Sequence, residues 1–252
     1  MVKANFSLHI SGIDCNSVNL FGDRAALRKT LYNFADLYDK RPFDNTGGIK
    51  FASAFAYYFF LQQIAPKVVI ESGIWRGFST WLIDSMLPSS QLFCLDPVLM
   101  MPFKFESAYR PKRAIYSTQD FSCFGFSSET ASQACVIFDD HQNVLPRLEQ
   151  ALHYGIEHVM LDDNQYAETY HESISHLLKN NHPILPYLFE SIEEYYLFPP
   201  LIPPIPEECP VEPLWNEIPP RLQHLDIESE FAYTWVTYIR LKINSKFQFD
   251  AD

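Results

Sequence analysis

Short apolar runs recur along the chain at intervals that suit the strands of a sheet. They lie at 67–72, 91–96, 113–118, 134–140 and 157–163. Stretches with helical periodicity surround them, at 24–38, 49–64, 79–87, 143–155 and 170–180. This alternation predicts an α/β fold in which helices cover both faces of a parallel sheet. The runs are almost continuously apolar, as expected for strands that are buried on both faces.

The two ends of the chain and one proline-rich segment depart from this alternation. Residues 1–45 form a mixed N-terminal segment in which only 24–38 has a clear helical pattern. Residues 183–220 contain the stretch LFPPLIPPIPEECPVEP, which holds seven of the eighteen prolines, so we predict an extended insertion or lid there. The alternating segment 231–243 predicts a long terminal strand, paired antiparallel with its neighbour. We predict that the whole chain, 1–252, is one domain.

Composition narrows the range of partners. Hydrophobic residues make up 47% of the 252 residues, which is enough for a large core. The formal net charge of −12 repels phosphate backbones, so nucleic acid is not expected as a partner. The apolar helix pattern at 49–64 is too short to span a membrane, and no membrane partner is expected. Five scattered cysteines without a CxxC pair, and no visible secretory signal, predict a cytoplasmic protein.

Groups that can carry chemistry are concentrated where the predicted strands end. Acidic residues stand at these ends: Glu71, Asp96, Asp139, Asp140, Asp162 and Asp163. Because ligands of open α/β sheets bind at the carboxyl ends of the strands, we expect these groups along one edge of the sheet. The stretch ESGIWRGFST places Gly73 and Gly77 between the first strand and a helix. Glycine lets the backbone approach a ligand closely, and a helix N-terminus offers N–H groups to an anion.

This turn indicates a nucleotide-like cofactor, although the patterns GxGxxG and GxxxxGK[ST] are both absent. Asp96 follows Glu71 by 25 residues. That spacing is close to the one at which an acid binds ribose hydroxyls in dinucleotide-binding folds. A glycine alone is common in a strand-to-helix turn, so the prediction rests on the two glycines and the two acids together.

The segment from Gly47 to Leu178 resembles the cofactor-binding half of class I S-adenosylmethionine-dependent methyltransferases. The likeness rests on GGIKFASAFAYYFFLQQIAPKVVIESGIWRGFSTWLI and its ExGxxxGxS turn. The segment is similar to catechol-type O-methyltransferases and, through Trp75 and Arg76, to sugar-modifying and cephalosporin hydroxylase-like relatives. The resemblance implies a Rossmann-like, doubly wound, mostly parallel seven-stranded sheet with a terminal antiparallel strand. It also implies that S-adenosylmethionine is the cofactor.

The resemblance assigns parts of the cofactor to individual residues. Gly73 and Gly77 would border its methionine moiety, and Ser79 would contact its carboxylate at the helix N-terminus. Asp96 would hold the ribose, and Asp120 would face the adenine. The full set of cofactor-binding candidates is Glu71, Gly73, Trp75, Gly77, Ser79, Thr80, Asp96, Asp120 and Asp139.

Two acidic clusters, FDDH and LDDN, end neighbouring strands and are the candidates for a metal site. Oxygen ligands from two strand ends can hold Mg²⁺ or Ca²⁺, with water completing the shell. Similarity to the catechol-type enzymes implies that Asp163 and Asn164 are two of the ligands. The other is Asp139 or Asp140, which point to opposite faces of a strand, and we prefer Asp140. Alternatively, such residues only cap the next helix.

His141 and Asp140 are the candidate catalytic residues. His141 would take a proton from a substrate hydroxyl, or would only be hydrogen-bonded to its neighbours. The lysine that catechol-type enzymes use as a base does not follow the FDDH motif here. Aromatic residues of the proline-rich segment are candidates for a substrate wall: Tyr187, Tyr195, Tyr196 and Trp215.

We therefore expect an S-adenosylmethionine-dependent O-methyltransferase acting on a hydroxyl of a small molecule such as a sugar, phenol or natural product. Mg²⁺ or another divalent cation would hold that hydroxyl and lower its pKa. The alternative is a methyltransferase-like module that binds a ligand or partner without catalysis, because a fold does not determine a function. A homodimer is left open.

Overall fold

The computed structural model describes residues 24–99, 108–162, 164–165, 173–204, 209 and 211–243. The strands in these ranges are β1 (Val68–Ser72), β2 (Gln91–Leu95), β3 (Ile115–Ser117), β4 (Ala134–Phe138), β5 (His158–Leu161), β6 (Ile192–Leu197) and β7 (Thr237–Leu241). They form one seven-stranded sheet in the order β3-β2-β1-β4-β5-β7-β6. β1 to β5 are parallel, and β7 runs antiparallel to both β5 and β6. The predicted doubly wound, mostly parallel sheet with an antiparallel terminal strand is confirmed.

Helices connect and cover the strands: α1 (Arg24–Tyr38), α2 (Phe51–Ile64), α3 (Phe78–Met86), α4 (Ser128–Ala131), α5 (Val144–Tyr154), α6 (Ile174–Lys179), α7 (Leu185–Glu190) and α8 (Ile227–Glu230). The cap residues explain where individual helices begin and end. α2 ends at Ile64, because its C-cap residue Ala65 has a left-handed backbone and precedes Pro66. α5 is capped at its start by Asn143, whose side chain accepts the N–H of Leu145, and at its end by Gly155, which has a left-handed backbone. Among the described residues, no helix is long and apolar enough to cross a membrane.

Helices pack on both faces of the sheet because strand side chains alternate between the faces. Val69 points into a layer formed with α1, α2 and α3. Ile70, the next residue, points into the opposite layer, which contains α5. α2 is apolar on nearly all sides, and its residues 51–61 are all buried. Such a helix belongs inside a fold, and here it lies between α1 and the sheet.

The segment 183–220 differs from the prediction. Its first part is not an excursion, because it contains α7 and then β6, which pairs with β7. The irregular path begins only at Phe198 and the prolines that follow it. The predicted strand at 231–243 is also shorter than expected. Trp235 has a left-handed backbone, with φ of 61°, so β7 starts only after it, at Thr237. A lid function for the proline-rich part stays a prediction.

Candidate functional site

The candidate site lies at the carboxyl ends of β1 and β4, in the middle of the sheet. From β1 the chain continues outward to β2 and β3, whereas β4 and β5 lie on the other side of β1. The loops after β1 and β4 therefore leave the sheet in different directions, and a crevice forms where the strand order reverses. Backbone hydrogen bonds align the strand ends there: Gly73 N–H to Leu95 O at 2.8 Å, and Asp139 N–H to Ser72 O at 2.9 Å.

Gly73 and Gly77 shape the turn after β1. Both have a left-handed backbone, with φ of 90° and 83°. A Cβ at Gly73 would lie 2.1 Å from the carbonyl oxygen of Asp139, and one at Gly77 would lie 2.2 Å from that of Tyr109. These distances are far inside van der Waals contact, so a side chain at either position would displace backbone. The fold itself therefore requires both glycines, in addition to any ligand.

The N-terminus of α3 lies directly after this turn. Its N-cap residue is Gly77, and no side-chain hydrogen bond caps the helix. Ser79 and Thr80, in the first turn, are buried. The first-turn N–H groups carry the positive end of the helix dipole. This end of α3 is therefore suited to an anionic group such as a carboxylate.

Glu71 lies beneath the turn and is completely buried. Thr80 Oγ1 donates to its Oε2 at 2.6 Å, and Cys94 Sγ contacts the same oxygen at 3.7 Å. Burial raises the pKa of Glu71 from 4.5 to about 7. Hydrogen bonding from the side chains of Ser79, Thr80 and Cys94 opposes part of this rise in the pKa, while Oε1 has no donor in full hydrogen-bond geometry among the described residues. A proton or a bound group would complete this network.

Asp96 follows β2 and holds the glycine turn in place. Its Oδ2 accepts the N–H of Ile74 at 3.0 Å and that of Trp75 at 3.3 Å. Its Oδ1 accepts the N–H of Val98 at 2.7 Å. A carboxylate has about four lone-pair sites, so Asp96 keeps capacity for one further donor. The position beside the turn and this capacity suit a hydroxyl donor, and a role for Asp96 at a ribose stays a prediction.

Three non-glycine residues around this edge have a left-handed backbone. They are Trp75 after β1, His141 after β4 and Trp235 before β7, with φ of 46°, 53° and 61°. Such conformations cost about 1–3 kcal/mol each and cluster at functional sites. Trp75 is also 53% exposed, which is unusual for so large an aromatic side chain. Its ring offers an aromatic surface beside the turn.

Arg147, which the sequence analysis did not identify, connects two of the predicted site residues. Its Nη2 lies 2.6 Å from Oδ2 of Asp120 and 2.8 Å from Oδ2 of Asp140. Ser72 Oγ donates to the same Asp140 oxygen at 2.6 Å. The Arg147 guanidinium holds the pKa of Asp120 well below its usual range. Asp120 also accepts the N–H of Ser122, so its carboxylate is held by the protein on both sides.

A signal for Arg147 was present in the sequence. Val144, Arg147, Leu148 and Ala151 are the buried residues of α5, and they follow helical spacing. An arginine on the apolar stripe of a helix is buried, and a buried charge requires a partner of opposite sign. Several acidic residues near the strand ends were available as that partner, but only the folded chain shows that Asp120 and Asp140 lie within reach.

Asn164 is bonded entirely within the protein. Its Nδ2 donates to Tyr195 Oη at 3.1 Å and to Thr237 Oγ1 at 2.7 Å. Its Oδ1 accepts the N–H of Ser175 at 3.1 Å. The residue is buried, and it joins the end of β5 to β6, β7 and α6. These contacts give Asn164 a structural role at the position where the resemblance implies a metal ligand.

Two of the predicted metal ligands, Asp140 and Asn164, are engaged by other groups of the protein. Asp140 is paired with Arg147, which also binds Asp120, and the guanidinium repels a second cation. Asn164 is committed to its own neighbours. Asp163 lies outside the described residues. Across the ranges that the structure describes, no three or more His, Cys, Asp or Glu side chains form a group that could hold a metal.

His141 and Asp139 lie in the loop that begins after β4. His141 is exposed, and the backbone of Asp139 packs against Gly73. The neighbouring strand end carries Asp162, which accepts a hydrogen bond from Thr234 Oγ1 at 2.8 Å. The hydroxyls of Thr234 and Ser53 lie 2.7 Å apart, so a chain of hydrogen bonds runs from Asp162 to Ser53 in α2.

The aromatic residues predicted to wall the substrate have different positions. Tyr195 and Trp215 are buried in the two apolar layers. The ring of Tyr196 stacks on Tyr238, with centroids 6.1 Å apart. Tyr187, in α7, is 62% exposed. Packing within the fold therefore accounts for Tyr195 and Trp215, and a role for any of the four at a substrate stays a prediction.

The chemistry of the turn fits S-adenosylmethionine, which carries a carboxylate and ribose hydroxyls. The N-terminus of α3, without a side-chain cap, suits the carboxylate. Asp96 has capacity for a hydroxyl donor.

No protein-family model and no curated protein match this sequence. Solved structures match it at low identity. The plantazolicin methyltransferase BpumL, in complex with a pentazolic desmethylPZN analogue and SAH, is 16% identical, with 90% of this chain and 95% of that chain covered and a TM-score of 0.44. The 1,6-didemethyltoxoflavin-N1-methyltransferase of Burkholderia thailandensis is 10% identical, with 86% of each chain covered and a TM-score of 0.42. A structure of cmcI with SAH is 17% identical, with 51% of this chain and 71% of that chain covered and a TM-score of 0.41. At such identities and TM-scores, these likenesses carry no conclusion about the cofactor or substrate of this chain.

Proposed function

We propose that this chain is an S-adenosylmethionine-dependent methyltransferase that methylates a hydroxyl oxygen of a small molecule. One observation carries the proposal. The glycine turn lies at the point where the strand order reverses, between an α3 N-terminus without a side-chain cap and the carboxylate of Asp96. This combination suits a small molecule that carries both an anionic group and neighbouring hydroxyls.

The turn would bind and orient the cofactor. The N-terminus of α3 would hold its carboxylate, and Asp96 would accept a hydrogen bond from its ribose. When bound, S-adenosylmethionine supplies a methyl group activated by a positively charged sulfur. Trp75 would cover one side of the turn with its exposed ring. Because Asp96 already holds the N–H groups of Ile74 and Trp75, the turn is ordered before the cofactor arrives.

The chain's own groups would complete the reaction without a metal. Most of the rate gain would come from holding the substrate hydroxyl in line with the methyl group. His141, exposed in the loop after β4, would accept the proton of that hydroxyl as a general base. Asp140 would not act as a base, since Arg147 and Ser72 already bind its Oδ2. Its role would be to keep the loop after β4 in place.

Isothermal titration of S-adenosylmethionine into the protein tests the cofactor site. We expect micromolar affinity, and a loss of about tenfold or more in Asp96→Ala and Gly77→Trp. Glu129→Ala, an exposed change in α4, is the control and should bind as the unchanged protein does. No binding to the unchanged protein would refute the proposal.

The reaction is tested by incubating the protein and cofactor with phenols, sugars and amines and measuring product mass. A gain of one methyl group on a hydroxyl substrate supports O-methylation, and His141→Ala should lower its rate. Methylation of amines alone would support methyltransferase activity but would refute the proposal that the methyl group is transferred to oxygen. Cofactor binding with no methylated product from any class would contradict the catalytic part of the proposal.

A second candidate, a non-catalytic binding module, is favoured by the packing of Arg110 on the turn. Its Nη2 donates to the carbonyl of Trp75 at 2.9 Å, and its Nη1 lies 2.5 Å from the place that a Cβ on Gly77 would take. The guanidinium therefore narrows the space above the glycine. Arg110→Ala separates the two functions. Cofactor binding that appears only in this variant would show that Arg110 closes the turn of the natural chain.

A further inference from the structure

A cavity with a volume of about 250 Å³ lies at the edge of the sheet opposite the glycine turn. Residues from four elements line it, among them Phe60, Gln63, His158, Glu194, Tyr238 and Arg240. His158 is the first residue of β5, whereas the candidate site lies beyond its last residue, Leu161. The length of a strand therefore separates the cavity from the turn, and the proposed function does not use it.

One side of the cavity is aromatic. The rings of Phe60 and Tyr238 stack with their centroids 5.5 Å apart and their planes at 28°. Tyr196 stacks on Tyr238 from β6, with centroids 6.1 Å apart and planes at 11°. His158 lies beside Tyr238, with ring centroids 6.0 Å apart. A row of nearly parallel rings favours a planar ligand, and aromatic faces attract cations.

The polar side of the cavity has an excess of negative charge. Arg240 Nη2 lies 2.5 Å from Glu194 Oε1 and 3.3 Å from Glu193 Oε1, and its Nη1 lies 3.7 Å from Glu157 Oε1. One guanidinium thus faces three carboxylates. Burial lowers the pKa of His158, so the imidazole does not balance this charge at neutral pH.

Hydrogen-bonding groups are also present at the cavity. His158 Nδ1 and Tyr238 Oη are 2.8 Å apart, which holds the imidazole in one orientation. Gln63, on the last turn of α2, places an amide at the rim. The volume is close to the lower limit of about 300 Å³ for small-molecule pockets, so only a compact ligand would enter.

We propose that this cavity binds a small planar cation of the aromatic amidine or aromatic amine class. The ring of the ligand lies against Phe60 and Tyr238. Its positive group pairs with the carboxylate of Glu194. That carboxylate shares the single guanidinium of Arg240 with Glu193 and Glu157, so its charge is only partly balanced. An aromatic carboxylate of the same size is rejected by the same acids.

Three compounds of nearly equal shape test this assignment: benzamidine is cationic, benzamide is neutral and benzoate is anionic. Each is titrated into the full chain while the ¹H–¹⁵N NMR signals of His158, Tyr238 and Arg240 are followed. We expect millimolar or tighter binding of benzamidine, about tenfold weaker binding of benzamide, and no shift with benzoate. Signals of the turn around Gly77 should not move.

Two matched variants locate the binding. Gln63→Trp fills the rim of the cavity from an exposed helix position and should abolish the benzamidine shifts. Gln62→Trp introduces the same side chain one residue earlier, outside the cavity lining, and should bind normally. No benzamidine shift at millimolar concentration would overturn the proposal. Equal binding of benzoate would overturn it too, and so would binding that survives in Gln63→Trp.

Discussion

The guanidinium of Arg147 lies 2.8 Å from the Asp140 carboxylate that the sequence had assigned to a metal. Both side chains are largely buried, with 6% and 11% exposed. A second carboxylate, Asp120, binds the same guanidinium. A cation of the protein therefore pairs with a carboxylate for which a divalent ion was expected.

Removal of divalent metal should leave function intact. We expect the affinity for S-adenosylmethionine and the rate of methylation to stay within about twofold after treatment with EDTA, because Arg147 already pairs with Asp140. The measurement is titration calorimetry together with product mass, with and without added Mg²⁺. If EDTA lowers the affinity or the rate and added Mg²⁺ restores it, the protein has a functional metal site.

Gly77→Ala should damage the turn through a steric collision. Its Cβ would meet the carbonyl of Tyr109 at 2.2 Å, in addition to the cost of φ at 83°. Gly155→Ala is the matched control, because Gly155 has φ of 81° but no atom within 4 Å of the new Cβ. We expect Gly155→Ala to lower the free energy of unfolding by about 1 kcal/mol, and Gly77→Ala by roughly 1–3 kcal/mol more.

Urea unfolding of both glycine variants measures this difference. Titration with S-adenosylmethionine should show weaker binding only in Gly77→Ala. Equal unfolding free energies for the two variants would mean that the backbone of Tyr109 moves aside at little cost.

Glu71 should make stability depend on pH. Its folded-state pKa of about 7 lies above its ordinary value of 4.5, so the folded chain holds a proton that the unfolded chain releases. This group therefore destabilises the fold progressively as the pH rises from about 4.5 to about 7, by about 3 kcal/mol in total. Glu71→Gln cannot ionise and should lose this dependence.

The free energy of unfolding of Glu71→Gln minus that of the unchanged protein should thus increase by about 3 kcal/mol over this pH range. Urea unfolding at several pH values measures it. Glu129→Gln, at an exposed position, is the control and should show no such trend. A constant difference for Glu71→Gln would indicate that the buried carboxyl is ionised throughout.

Tyr38→Phe should destabilise the contact between α1, α2 and α8. Tyr38 Oη donates to Glu230 Oε2 at 2.6 Å, and the N–H of Phe51, the first residue of α2, donates to the same oxygen at 3.1 Å. A hydrogen bond to a buried charged group contributes about 1.5–3 kcal/mol, and the free energy of unfolding should fall by that amount. Thermal or urea unfolding measures the change. Tyr187→Phe, at an exposed tyrosine, should have no effect.

Much of the fold could be predicted because it depends on local patterns. Nearly continuous apolar runs become the buried parallel strands, since only two helical layers can cover them. The pattern at 24–38 matches α1, which spans Arg24–Tyr38. The turn at Gly73 and Gly77 could also be recognised, because positive φ at the end of a strand is accessible mainly to glycine.

β6 was missed because its neighbourhood is rich in proline. Its six residues carry a weak pattern, and the strand exists only because β7 lies beside it and supplies the backbone hydrogen bonds. Pairing between segments some forty residues apart in sequence cannot be predicted from the local sequence of either segment.

The sequence by itself determined the alternation of strands and helices, the place of the glycine turn and the edge of the sheet where the acids gather. Tertiary structure alone decided what those acids do. Asp140 and Asp120 meet Arg147, Glu71 is buried under Thr80, and the amide of Asn164 is used within the protein. The physical reason is that the state of a carboxylate depends on which distant charge or donor lies within about 4 Å, and only the folded chain brings those groups together.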